Sequence, residues 1–141
     1  MIINFIKLHD NAKLPIYSTT EAAGADVHSI DSYVIPAREH KLIKTGLGCN
    51  IPFGWEIQVR PRSGLALKNK VTVLNSPGTI DSDYVHELGV VLINHNSIDF
   101  VVNMGDRIAQ IVCSPVYQAT FGWTDSVKET DRVGGFGSTG I

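Results

Sequence analysis

From Trp55 to Arg60 the chain alternates, with Trp55, Ile57 and Val59 apolar and Glu56, Gln58 and Arg60 polar. A period of two predicts a β-strand with one buried and one wet face. Residues 2–8 alternate less cleanly and predict an opening strand that ends in a turn or loop through Asp10, Asn11 and Pro15. Residues 33–36 and 41–51 predict further strands, with Gly46 and Gly48 marking a bend or bulge. Residues 88–93 are a continuous apolar run, too short for a helix of consequence. Such a run predicts a strand buried on both faces by a second sheet or another subunit. Residues 104–116 repeat the strand pattern after a turn at Gly105 and Asp106, and residues 125–130 form a polar connector. No stretch carries the period of a long amphipathic helix, so an all-β class with at most a short helix is expected.

Between these strands lie segments rich in turn formers. Residues 73–87, VLNSPGTIDSDYVHE, place Asn75, Ser76, Pro77 and Gly78 between two strand-forming runs, which predicts a β-hairpin. A hairpin tip exposes backbone N–H and C=O groups to a flat polar ligand such as a nucleobase, and Gly78 allows the close approach. Asp81 and Tyr84 follow the turn; on a strand they would face opposite sides, so a bulge or bend is needed if both touch one ligand. Solvated carboxylates on a hydrophilic hairpin would fit the same residues. After Pro61 a short helical turn is expected, with Ser63 near its N-terminus, either as a cap or beside free N–H groups. Arg62 there is either solvated or a grip for phosphate. In AAGADVHS, residues 22–29, Asp26 is a carboxylate that could satisfy turn N–H groups. Gln110 is a polar residue between Ala109 and Ile111, paired within a sheet or donating to a phosphate oxygen. The end, GGFGSTGI, is either a disordered tail or, with Arg132 and Phe136, a segment that closes over a base and a triphosphate.

Composition narrows the function classes. At 141 residues and 43% hydrophobic content the chain suits a single domain over residues 1–141. A β core to about residue 131 is expected to lead into a glycine-rich arm over residues 132–141. A net charge of -2 argues against stable nucleic-acid binding. Cys49 and Cys113 lie in no CxxC or Cys/His cluster, the pattern of reduced thiols in a cytosolic protein. The start, MIINFIKLHD, reads as neither a leader nor a span, so a soluble, intracellular, cytoplasmic protein without membrane contact is expected. The five histidines are scattered, and no HExxH, GxSxG or Walker loop occurs.

Taken in order, AGADVHS, PRSGLALK, NSPGTIDSDY, GDRIAQIV and GGFGSTG resemble the motifs of the homotrimeric dUTP diphosphatases, over nearly the full chain. The resemblance implies a jelly-roll-like antiparallel β domain with a flexible C-terminal arm, assembled as a homotrimer with active sites between subunits. It also implies hydrolysis of dUTP to dUMP and pyrophosphate, limiting uracil in DNA and supplying dUMP for thymidylate synthesis. Asp81 matches the carboxylate that activates water for attack on the α-phosphorus. Magnesium is implied as cofactor, held by the triphosphate rather than directly by protein ligands. The hairpin, with Asn75, Gly78 and Ile80, matches the uracil-reading segment, and Tyr84 the ring under deoxyribose. Arg62, Ser63, Gly64 and Gln110 match phosphate-contacting positions. Arg132, Phe136, Gly137 and Ser138 match the closing arm, and Asp26 a position of inter-subunit support.

Two departures stand out. His86 occupies a position where the family pattern has glycine, and the arm has one residue fewer than many members between Arg132 and the Gly-Gly-Phe run. Two rival readings are a dCTP deaminase and a nonenzymatic trimeric regulator with a protein partner, as in some viral relatives. A deaminase would carry a glutamate near Val91, where an aliphatic side chain cannot shuttle protons.

Overall fold

The computed structural model describes residues 2–132 together with 134 and 135. In chain order it contains β1 (Asn4–Lys7), β2 (Ile16–Tyr17), β3 (Ala25–His28), β4 (Tyr33–Ile35), β5 (His40–Lys44), β6 (Leu47–Asn50) and β7 (Trp55–Arg60). Then come α1 (Ser63–Asn69), β8 (Val71–Val73), β9 (Gly78–Ile80), β10 (Gly89–Asn94), β11 (Phe100–Val102) and β12 (Arg107–Pro115). Five strands form the larger sheet in the order β2-β3-β12-β7-β9, and three form a second in the order β5-β10-β8. β1 pairs with β6 and β4 with β11, and every pairing is antiparallel. This is the expected all-β, jelly-roll-like arrangement with one short helix among the described residues.

The alternation in β7 sorts its side chains as the sequence predicts. Ile57 and Val59 are buried in the core at 1% and 3% exposure. On the other face Arg60 Nη2 donates to Gln58 Oε1 at 2.6 Å, and Gln58 Nε2 donates to Glu56 Oε1 at 2.6 Å. The apolar run forms a strand, as expected, with one face buried within the single chain. Val90 and Leu92 are buried, but Val91 and Ile93 are only half-buried. β10 is the middle strand of a three-stranded sheet whose inner face meets the core, and its outer face lacks a full covering layer within one chain.

Residues 73–87 do not close the predicted turn into a tight hairpin, because β8 and β9 on either side of it do not pair with each other. β8 pairs with β10, Val73 opposite Leu92, as the flanking runs predict. The segment between them leaves that sheet, and its β9 pairs with β7 in the larger one, Gly78 opposite Val59 and Ile80 opposite Ile57. Residues 74–77 therefore bridge the two sheets. The strands end at Pro115, and beyond Val116 the described residues are exposed, including Phe121 and Trp123. Among the described residues no helix is long and apolar enough to cross a membrane.

Candidate functional site

β7 runs into Pro61, which holds the preceding residue in extended backbone and stops the strand. Arg62 then caps α1 with extended φ −92° and ψ 127° and makes no side-chain cap bond. Ser63 is thus the first helical residue, not the cap. A guanidinium has no acceptor with which to cap N–H groups, and the Arg62 side chain instead turns to Asp26, where Nε donates to Oδ1 at 2.9 Å. Asp26 Oδ2 accepts from Arg107 Nη1 and from Ser18 Oγ, both at 3.2 Å. Asp26 lies in β3 and is 9% exposed, so it neutralises arginines inside a sheet rather than serving turn N–H groups. One carboxylate facing two guanidinium groups leaves a net positive site, suited to an anion.

Gln110 completes this cluster. It stands opposite Asp26 on one side and Arg60 on the other, and its Nε2 donates to the Pro61 carbonyl at 2.9 Å. Its Oε1 faces Gly24, where the missing side chain leaves room for the amide. Gly24, Asp26, Arg62, Ser63, Gly64 and Gln110 share the lining of an open cleft of about 220 Å³. The structure therefore brings together the four predicted phosphate contacts.

The hairpin supplies a second group. Gly78 is buried between Asn75 and Val59; a Cβ there would lie 3.2 Å from Asn75 Nδ2 and 3.3 Å from Val59 Cβ. Ile80 turns its side chain into the core at 9% exposure, which leaves only its backbone for a ligand. Asp81 and Tyr84 are not on a strand. They bracket a turn in which Tyr84 N–H donates to the Asp81 carbonyl at 3.2 Å, the bend that a shared ligand requires. Asp81 lines a depression of about 510 Å³ with Asp83, Phe53 and Trp55. The Tyr84 hydroxyl donates to the Glu87 carbonyl at 2.9 Å, and His86 lacks the positive φ that would strain it.

These two groups are apart in one chain. Because β9 runs antiparallel to β7 with Ile80 opposite Ile57, Asp81 follows toward the start of β7, while Arg62 lies beyond its end. At the usual rise of a strand that interval is on the order of 20 Å. Asp81 and Arg62 of one chain therefore lie toward opposite ends of β7.

Arg132 lies on the exposed C-terminal segment, where its Nε donates to the Gly134 carbonyl at 3.1 Å. Phe136, Gly137 and Ser138 lie outside the described residues. Next to the cleft, His28 Nδ1 is buried without a hydrogen-bond partner. Burial first, then the charge of Lys13, pushes its pKa below the ordinary histidine value of 6.5. Gly24 and Arg107 are the site residues that sequence reasoning passed over. Both lie inside motifs quoted above, and an arginine beside a strand that carries Gln110 was the available signal.

The family model described as dUTPase matches residues 10–140. A protein named deoxyuridine 5'-triphosphate nucleotidohydrolase from Nautilia profundicola is 52% identical over 141 residues, spanning 99% of each chain. Its namesake from Helicobacter hepaticus is 51% identical over 142 residues, covering 100% of this chain and 90% of that one. Among solved structures, the dUTPase of Staphylococcus bacteriophage 80alpha with dUPNHPP superposes with a TM-score of 0.89 at 24% identity, covering 99% of both chains. A mutant form of the dUTPase of phage phi11 of S. aureus, described with a structural Mg(II) ion, gives 0.83 at 22% identity over 92% of this chain and 100% of that one. Both structures share the fold.

Proposed function

This chain belongs to the dUTPase family and is a dUTP diphosphatase, and we propose that Asp81 is the base that activates its attacking water. The match over residues 10–140 carries the activity, and the turn that joins Asp81 to Tyr84 supports the roles within it. In this reading the hairpin presents backbone groups and the Asn75 side chain to uracil. Cytosine is refused because its exchanged donor and acceptor would leave buried partners unpaired. Tyr84 lies under the deoxyribose. Arg62, Ser63, Gly64 and Gln110 hold the triphosphate, and the water displaces pyrophosphate by in-line attack at the α-phosphorus. General-base assistance contributes a factor of about 10² to 10⁴, and positioning and charge neutralisation supply the rest.

The distance between Asp81 and Arg62 supports a site shared between copies. Asp81, Tyr84 and the hairpin would come from one chain and the Arg62 and Gln110 cluster from its neighbour, in a closed trimer. Arg132, Phe136, Gly137 and Ser138 would close over the nucleotide from the C-terminal arm. Magnesium is the proposed cofactor. Among the described residues no three His, Cys, Asp or Glu side chains gather as a metal cage. With both Asp26 oxygens engaged by Arg62 and Arg107, the ion would be held by the triphosphate and its own waters rather than by side chains of the cleft. When bound, the ion would neutralise the phosphate oxygens.

Pyrophosphate release from dUTP, dCTP, dTTP and UTP, each with and without magnesium, tests the reading. Release from dUTP alone, dependent on magnesium, is expected. Consumption of dCTP would reopen the deaminase reading, and binding of dUTP without turnover would favour the regulator.

A further inference from the structure

We propose that His86 positions Tyr84 and so sets how strictly the site refuses a ribose, an inference that rests on Tyr84 being the platform under the sugar. Three contacts define the tyrosine. Its N–H donates to the Asp81 carbonyl at 3.2 Å, which fixes the backbone end. Its hydroxyl donates to the Glu87 carbonyl at 2.9 Å, which fixes the far end. Glu87 is itself anchored, because its Oε1 accepts from Gly46 N–H at 2.8 Å, at the corner between β5 and β6.

A ring held at both ends keeps one freedom, rotation about the long axis joining them, and that torsion is intrinsically broad for tyrosine. His86 opposes it. The two ring centroids are 5.6 Å apart and their planes cross at 77°, an edge-to-face contact. In this arrangement the positive edge of one ring meets the negative face of the other, and tilting the tyrosine breaks the contact. The glycine of the family pattern would offer no such wall. The histidine costs nothing in backbone strain, since the described non-glycine residues with positive φ are Arg38 and Lys70. A fixed flat ring accepts the C–H of deoxyribose, whereas a 2'-hydroxyl is admitted only if the ring tilts or withdraws. His86 makes that adjustment harder.

The test compares kcat/KM for dUTP and UTP in the full-length enzyme and in His86→Gly, His86→Ala, His86→Phe and Tyr84→Ala. The UTP-to-dUTP ratio is expected to rise roughly threefold to tenfold in His86→Gly and His86→Ala, the factor that one aromatic pair supplies. His86→Phe should restore it, because an aromatic edge without the imidazole nitrogens still blocks the tilt. Because the residue is exposed, the thermal midpoint should stay put in all three. An unchanged ratio in His86→Gly and His86→Ala, with a raised ratio in Tyr84→Ala, overturns the inference and leaves the platform standing. An unchanged ratio in Tyr84→Ala as well overturns the platform reading and this inference with it.

Discussion

The Gln110 amide occupies the space that a side chain on Gly24 would need: a Cβ built there would lie 2.8 Å from Gln110 Cδ. Gly24→Ala should therefore displace the glutamine and lower kcat/KM for dUTP by roughly tenfold to a hundredfold, the usual cost of a misplaced contact. A double-mutant cycle checks this. In a Gln110→Ala background Gly24→Ala should cost little more, whereas additive losses would point to general damage to the fold.

Asp81→Asn keeps the shape of the side chain and removes its basicity. Turnover should fall by about 10² to 10⁴ while dUTP binding stays within a few fold. Single-turnover rates and equilibrium titration with a non-hydrolysable analogue separate the two quantities. Comparable turnover in the variant would reject Asp81 as the base.

Asp81→Asn chains and Arg62→Ala chains should each be inactive alone. If one site takes these residues from different copies, refolding equal amounts together should return activity to about one site in four by random assortment. No recovery, in mixtures shown to contain mixed oligomers, would place both residues in one chain's site and contradict the distance along β7.

Asp26→Asn should weaken two charge-assisted bonds at once. Asp26 is nearly buried, but Arg107 is half exposed, so the cost is discounted to ~1–3 kcal/mol. Denaturant unfolding measures that loss. KM for dUTP should rise with it, because Arg62 loses the partner that aims it.

His28 gives the fold an acid sensitivity of known sign. Its folded pKa is lowered, chiefly by burial, so the unfolded chain binds the proton more readily. Stability from this group is fully present above the unfolded value near 6.5 and falls as pH drops below it. His28→Gln should flatten the decline of the thermal midpoint on acidification. An identical decline in both proteins would assign it to other groups.

Much of this architecture could be read from local pattern. The alternation of β7 identified its buried face, and Gly78 does stand at a close approach, although what it packs against is Asn75 and Val59 rather than a ligand. What escaped was long-range. Asp26 meets Arg62 across 36 positions and Arg107 across 81, and no spacing rule encodes a carboxylate shared that far along the chain. The apolar run of β10 foretold a strand, but full burial of both faces depends on a second layer that one chain does not supply. The turn between Asp81 and Tyr84 was required only conditionally by the sequence, since it follows from how β9 leaves the larger sheet.

Residues 74–77 join strands that belong to different sheets, so the tip proposed to read the base is a rivet between two plates rather than a free loop. Lengthening it would slacken the grip of one layer on the other as well as reshape the tip. An inserted residue should accordingly be harder to accommodate here than in the exposed stretch after Val116, although both lie outside regular strands. Changes in loop length would then be accommodated more readily in that stretch, leaving the tip with a fixed gauge.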